Sequence, residues 1–334
     1  MEVNDIYVEL AERLKYPGSE RLLAILRKLV TPEEGRLLLE LPADPEELAR
    51  RTGVDRDTVE LNLRQLVEKG IAIPTSKGIR MARDVTQLHD ANLSSTDQWL
   101  DTEILDLWKE FQESEWLESM ADIGDAHFNA IRVLPAFKSI QRSPHVSAAD
   151  LLPEEDTKAL IRGADPIAVV KCSCRRSMRR CDLPVDICLQ FNRGAEYHIN
   201  RGTGRRLTGD EAIELAGKAE EAGLVHTWPM AAFGRLNEIC NCCRDCCVIF
   251  DAGLRYGTID RLLEKSRFRA EVDREICSGC QDCVERCFFG AIEMVKPSEG
   301  GIAVAEVDTS RCFGCGLCTI VCEPGAIAMR LAGD

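Results

Sequence analysis

Seventeen of the 334 residues are cysteines, and their spacing is the part of this sequence that could do chemistry. Thiolates serve as nucleophiles, redox centres and soft metal ligands. Eight of them fall in two copies of one pattern, C-x2-C-x2-C-x3-C: Cys277, Cys280, Cys283 and Cys287, then Cys312, Cys315, Cys318 and Cys322, 35 residues further on. Aligned over eighteen positions, CSGCQDCVERCFFGAIEM and CFGCGLCTIVCEPGAIAM share nine identities, which marks an internal duplication. The other nine form two groups upstream: Cys172, Cys174, Cys181 and Cys188, then Cys240, Cys242, Cys243, Cys246 and Cys247. A disulfide scaffold belongs to small secreted domains, and an odd number of cysteines in a long chain does not suit one. Five thiols within eight residues are redox-labile unless bound. Metal ligation is the chemistry that remains.

The duplicated motif resembles the bacterial dicluster ferredoxins, over about residues 268 to 332. That resemblance implies two 4Fe-4S clusters with crossed ligand sets, Cys277, Cys280, Cys283 and Cys322 for one, and Cys312, Cys315, Cys318 and Cys287 for the other. Gly279 and Gly314 are expected to keep the loops clear of the clusters and to leave amides free to point at their sulfurs. The family motif has proline directly after the fourth cysteine, whereas here Phe288 follows Cys287, and Glu323 follows Cys322 with Pro324 one place later. Proline ligates nothing, so the departure touches the turn and not the clusters. Zinc is disfavoured for these eight, because structural zinc usually pairs two separated C-x2-C knuckles. Two clusters so close in sequence imply electron transfer.

The middle cysteines resemble the cysteine-rich region of a widespread group of anaerobe iron-sulfur proteins that end in a dicluster ferredoxin. The matching residues are Cys172-Ser173-Cys174-Arg175, Gly204-Arg205-Arg206-Leu207-Thr208, Gly223-Leu224-Val225-His226 and Cys240-Asn241-Cys242-Cys243. Nine thiols could carry two 4Fe-4S clusters with one to spare, one cluster plus a zinc, or one cluster of unusual composition. At least one further iron-sulfur cluster is favoured over zinc alone, and spacing does not say which cysteines share it. Residues 171 to 206 hold nine bases, among them Lys171, Arg175, Arg176, Arg179, Arg180 and Arg201, against three acids. These would support an anionic cluster or lie on an ordinary surface; the alternative is a grip on an anionic substrate. His226 is expected to satisfy a carbonyl at a helix end, with proton delivery or ligation as the alternative, and Tyr197-His198 also stands near the cysteines. His89, His127 and His145 are isolated and read as structural or surface residues. No GxGxxG follows a strand and there is no Walker A loop, so no dinucleotide or nucleoside triphosphate site is recognisable.

Elements must position these residues. A helix over Glu46 to Arg51, a turn at Thr52-Gly53, a helix opened by Asp55 with Val59, Leu63 and Leu66 on one face, and two short strands at 71–73 and 79–81 resemble a winged helix, with earlier helices in 20–41. Its second helix holds four acids, Asp55, Asp57, Glu60 and Glu68, against Arg56, Arg64 and Lys69, so docking or dimerisation fits it better than DNA binding. Residues 86 to 170 hold six bases against sixteen acids and look helical, with Trp99, Leu100, Ile104, Leu107, Trp108, Phe111 and Leu117 spaced for a buried stripe. Ile167 to Val170 reads as a short buried strand, and Thr208 to Gly223 as a capped helix.

The expected architecture is α+β and multi-domain: a winged-helix-like domain over 1–85, an acidic helical segment over 86–165, a cysteine-rich metal or iron-sulfur domain over 166–250, and a linker helix with the dicluster ferredoxin-like domain over 251–334. The expected function is electron transfer between a redox partner, the two C-terminal clusters and a further cluster on the middle cysteines, the protein serving as a component or subunit of an oxidoreductase. Two alternatives stand beside it: a reductase whose middle cluster is catalytic, and a redox-sensing winged-helix regulator. The acidic 86–170 segment is a candidate docking face for a basic partner, and a homo-oligomer could form through the winged helix. With no secretion signal and no apolar stretch of membrane-spanning length, a cytoplasmic location is expected.

Overall fold

Residues 3–125, 131–229, 237–296 and 301–332 are described by the computed structural model. Contacts divide the chain into two units, each assembled from separate stretches: 1–118, 170–180 and 197–205 in the first, and 119–169, 181–196 and 206–334 in the second.

The first unit begins with helices Val3–Arg13, Glu20–Leu29 and Pro32–Leu39. Their ends are set locally. Ser19 accepts from the Leu22 amide, while Thr31 and Glu34 close a capping box with Pro32 at the first helical position. Helix Pro45–Thr52 stops at Gly53, which takes the left-handed φ of 74° that glycine alone adopts freely, and Asp55 caps helix Arg56–Glu68. Val59, Leu63 and Leu66 are buried as their spacing predicts. Strands β1, Ala72–Thr75, and β2, Gly78–Met81, follow as an antiparallel pair with Ile73 opposite Arg80. A buried ion pair, Lys69 to Glu34 at 2.6 Å, ties the end of helix Arg56–Glu68 to helix Pro32–Leu39.

Beyond these lie helices Val85–Leu93 and Thr102–Phe111, the latter running into a π-helical turn at Gln112–Trp116. Leu100, Ile104, Trp108, Phe111 and Leu117 are buried, and the Trp108 indole donates to Asn92 at 2.8 Å. His89 is wholly buried, with its ring edge-on to Trp108 and Trp116 and its Nδ1 3.0 Å from Asp90, so it is a core residue. His145 is exposed, and His127 lies outside the described residues.

Within this unit the acidic and basic segments, far apart in sequence, neutralise each other. Arg176 and Lys171 both reach Asp97, Arg179 pairs with Asp106, and Arg180 pairs with Glu113 at 2.8 Å. Arg176 also donates to the Leu93 and Ser95 carbonyls, and Arg201 to the Glu68 and Ala91 carbonyls and the Ser95 hydroxyl. These charges therefore have partners inside the unit, which weakens the readings of the acidic segment as a docking face and of the basic run as a substrate grip.

The remaining strands are β3, Ile131–Val133; β4, Ile167–Lys171; β5, Asp186–Phe191; β6, Gly204–Leu207; β7, Val225–Pro229; β8, Glu238–Cys242; β9, Leu263–Glu264; β10, Phe268–Val272; β11, Ile292–Val295; β12, Val304–Val307; and β13, Ile327–Leu331. Strands β3 to β9 make a mixed sheet in the order β6-β4-β5-β8-β7-β3-β9. β3 lies inside the stretch expected to be helical. It is a strand because it pairs antiparallel with β7 and parallel with β9, and all three of its residues are buried, Arg132 against Glu155 at 3.0 Å. The capped helix forms as Gly209–Glu221, and its Ala212 and Ala216 join Leu189, Phe191, Ile239 and Trp228 in the core. In the duplicated region β10 pairs with β13, and β11 with β12, both antiparallel. No helix among the described residues is long and apolar enough to cross a membrane.

Candidate functional site

The eight C-terminal cysteines surround two cavities. One is lined by Cys277, Cys280, Cys283 and Cys322, the other by Cys287, Cys312, Cys315 and Cys318. Each cavity takes three cysteines from one motif copy and the fourth from the other. The exchange follows from the fold: Asp282–Arg286 and Leu317–Val321 are short helices packed together, and Cys287 and Cys322 end them. Among the described residues no three of these eight sulfurs lie within 4.8 Å of one another. Such separation suits a cubane cluster, in which each thiolate takes a different iron.

Burial, followed by the nearness of Cys280, Cys322 and Cys277, pushes the Cys283 thiol up to about 11. Burial likewise pushes Cys315 up to about 12 and raises Cys287 and Cys318. Thiols held this way need a cation to become thiolates, so the donor chemistry fits a metal cluster. The Ala305 amide donates to Cys277 Sγ at 3.5 Å. Cys280 is the exposed member, whereas Cys283, Cys312 and Cys318 are buried.

Gly279 and Gly314 line the two cavities and are constrained from behind as well. Both have left-handed φ, 73° and 70°. A Cβ on Gly279 would stand 2.6 Å from the Ala303 carbonyl oxygen, and one on Gly314 would collide with the Phe268 carbonyl and the Ser266 hydroxyl. Glycine is required by the backbone packed behind each loop. Phe288, standing where the family motif has proline, packs its ring on Phe250 at 5.4 Å and Phe289 at 4.6 Å, and Phe289 stacks on Phe313 at 4.5 Å. Pro324 lines the first cavity.

The middle cysteines divide. The antiparallel register of β5 with β8 pairs Leu189 with Ile239 and Gln190 with Glu238, and one step further sets Cys188 opposite Cys240. Cys240 hydrogen-bonds Cys188 and Cys242, and these contacts, with burial, push its thiol well above the ordinary range. Thr227 on β7 lies 3.4 Å from Cys242 Sγ. Cys243 and Cys246, just past the strand, meet Cys181 instead, at 3.9 and 3.7 Å between sulfurs. Cys247 immediately precedes helix Val248–Tyr256. Cys172 and Cys174 fall in the first unit, where Cys172 precedes helix Ser173–Met178.

Between Cys240 and Cys242, Asn241 points to the opposite side of β8. Its amide donates to the Ile187 carbonyl of β5 at 2.5 Å, and its Oδ1 lies 2.6 Å from His226 Nδ1 on β7. His226 Nε2 is 3.1 Å from Glu220, whose carboxylate accepts from the Phe137 and Lys138 amides at 2.7 and 3.2 Å. Ala136, next to them, donates to the Cys315 carbonyl at 2.9 Å. His226 thus joins two side chains and is not the helix-end residue expected. Asn241 and Glu220 were missed as supports, though the GLVH and CNCC matches already pointed to this neighbourhood. His198, in the first unit, is buried beside Thr203 at 3.0 Å, and burial holds it neutral down to about pH 3.

A cleft of about 650 Å³ in the second unit is lined by Leu183, Cys243, Arg244, Asp245, Arg286 and Phe288, among others. Comparison with known families finds a 4Fe-4S dicluster domain over residues 276–326. No curated protein and no solved structure shows a significant match to the chain. The C-terminal region therefore carries the iron-sulfur dicluster signature, and iron-sulfur electron transfer is what that signature implies.

Proposed function

We propose that this protein passes electrons between a redox partner and a further iron-sulfur cluster on its middle cysteines, through two C-terminal 4Fe-4S clusters. Cys277, Cys280, Cys283 and Cys322 hold one cluster, and Cys287, Cys312, Cys315 and Cys318 the other. The observation that carries this reading is the pair of cavities, each lined by a crossed set of four cysteines. Bound there, the clusters supply one-electron redox chemistry. The chain's own part is to hold the thiolates, exclude water from Cys283, Cys312 and Cys318, and donate the Ala305 amide to a ligand sulfur, which raises a cluster potential. Exposed Cys280 makes the first cluster the one that meets the partner. A cytoplasmic, reducing setting suits seventeen cysteines that serve as metal ligands.

The second reading, a reductase, would place its substrate in the cleft beside Cys243, whose lining sets Arg244 and Arg286 against Asp245, Asp282, Glu285 and Glu323 and so does not favour an anion. Helix Arg56–Glu68 and the β1-β2 hairpin fit a winged helix used for docking or dimerisation, the helix being too acidic for phosphate contact. The test is iron and acid-labile sulfide per chain on anaerobically purified protein, with electron paramagnetic resonance after dithionite reduction. More than about eight irons, with the signal of two interacting clusters, is the expected result, the irons beyond those reporting the cluster on the middle cysteines. Protein that incorporates no sulfide, or shows no reduced-cluster signal, would rule the electron-transfer reading out.

A further inference from the structure

We propose that Cys181, Cys243 and Cys246 hold a single zinc ion and not a corner of an iron-sulfur cluster. The inference deepens the reading above by naming what one set of middle cysteines binds. Their sulfurs all lie within 4.8 Å of one another, with Cys181 3.9 Å from Cys243 and 3.7 Å from Cys246. Sulfurs placed tetrahedrally about 2.3 Å from one zinc stand about 3.8 Å apart, so these two distances fit edges of a mononuclear site in which the three cysteines fill three of four positions. A cubane sets its thiolates on different irons and spreads them further, and the eight C-terminal sulfurs provide that contrast inside the same unit.

Three further features agree. Cys243 and Cys246 have the C-x2-C spacing of a zinc knuckle. The Leu183 amide, two residues after Cys181, hydrogen-bonds that cysteine's sulfur, and the Cys247 amide reaches the Cys243 carbonyl at 3.4 Å. Such contacts orient ligands from outside the metal's own shell. Cys243 also lines the 650 Å³ cleft, which gives an ion a way in. The further cluster expected from sequence then has to be sought on the other middle cysteines.

The experiment measures zinc, iron and acid-labile sulfide per chain on anaerobically purified full-length protein, and on its Cys181→Ser and Cys246→Ser variants. Expected are about one zinc in the parent, loss of most of it in both variants, and unchanged C-terminal iron and reduced-cluster resonance, which also reports that the variants fold. Zinc-edge X-ray absorption of the parent is expected to show sulfur neighbours at about 2.3 Å and no metal neighbour. Iron and sulfide in place of zinc, falling by about four of each in the variants, would overturn the assignment. So would a zinc content that both substitutions leave intact. A parent without the reduced-cluster resonance would instead remove the electron-transfer reading and leave the zinc count standing.

Discussion

The C-terminal cysteines stand apart around cavities, while Cys181, Cys243 and Cys246 of the same unit touch. The difference lies in what carries the thiols. In the C-terminal region they sit on loops bent by left-handed glycines and on the ends of two five-residue helices, so the backbone wraps a volume. In the middle region a strand and the knuckle after it bring sulfurs together, and Asn241 braces that strand from its other face. Thiol count alone therefore says little about nuclearity; the spacing between sulfurs does.

Crossing of the C-terminal sets predicts the largest effect. Cys287→Ser should remove about four of the eight C-terminal irons, and the lost cluster should be the one shared with Cys312, Cys315 and Cys318, leaving the set that includes Cys322. Iron counts and resonance spectra of Cys287→Ser and Cys322→Ser check this, and loss of the cluster belonging to each cysteine's own motif copy would erase the crossing. Next comes the brace. Asn241→Ala leaves the Ile187 carbonyl and His226 short of a buried partner and should cost about 3 kcal/mol, seen as a lower denaturant midpoint. Metal on Cys181, Cys243 and Cys246 should be lost before C-terminal iron; equal loss at both would remove the distinction between the regions.

The first unit supplies a baseline in which ordinary side chains do the holding. His198 has a folded pKa of about 3 against an ordinary 6.5, so the unfolded chain takes up the proton first. Stability is then full above pH 6.5 and falls as pH drops toward 3, by up to about 1.4 kcal/mol per pH unit. Unfolding followed by the fluorescence of Trp99, Trp108 and Trp116 at pH 7, 6 and 5 should show the slope, and His198→Asn should flatten it. The smallest effect belongs to Arg179→Ala, whose pair with Asp106 is exposed on both sides; below about 0.5 kcal/mol is expected by the same measurement.

Local signals were enough for a large part of this molecule. Asp55, Gly53 and the Thr208–Glu211 capping box mark helix ends where they form, because caps act within three or four residues. The duplicated motif pointed to the C-terminal chemistry for a similar reason, each loop holding three thiols within seven residues. The partition of the middle cysteines was not legible, since it depends on the register between β5 and β8, about fifty residues apart. The pairing of Arg176 and Arg179 with Asp97 and Asp106 was equally hidden: a charge run carries no mark of which distant run will meet it. His226 was misjudged because its partner, Asn241, arrives on a neighbouring strand.

The interleaving of the two units bears on how such a chain can be made. The first unit includes residues 197–205, while the second already begins at 119. On the ribosome the N-terminal helices must wait for about eighty more residues before their unit has all its parts. A gene cut at any single position would leave one product lacking a strand or helix that its unit needs. Neither half can be traded between proteins as a cassette, and fragment expression will succeed only if the two pieces are supplied together.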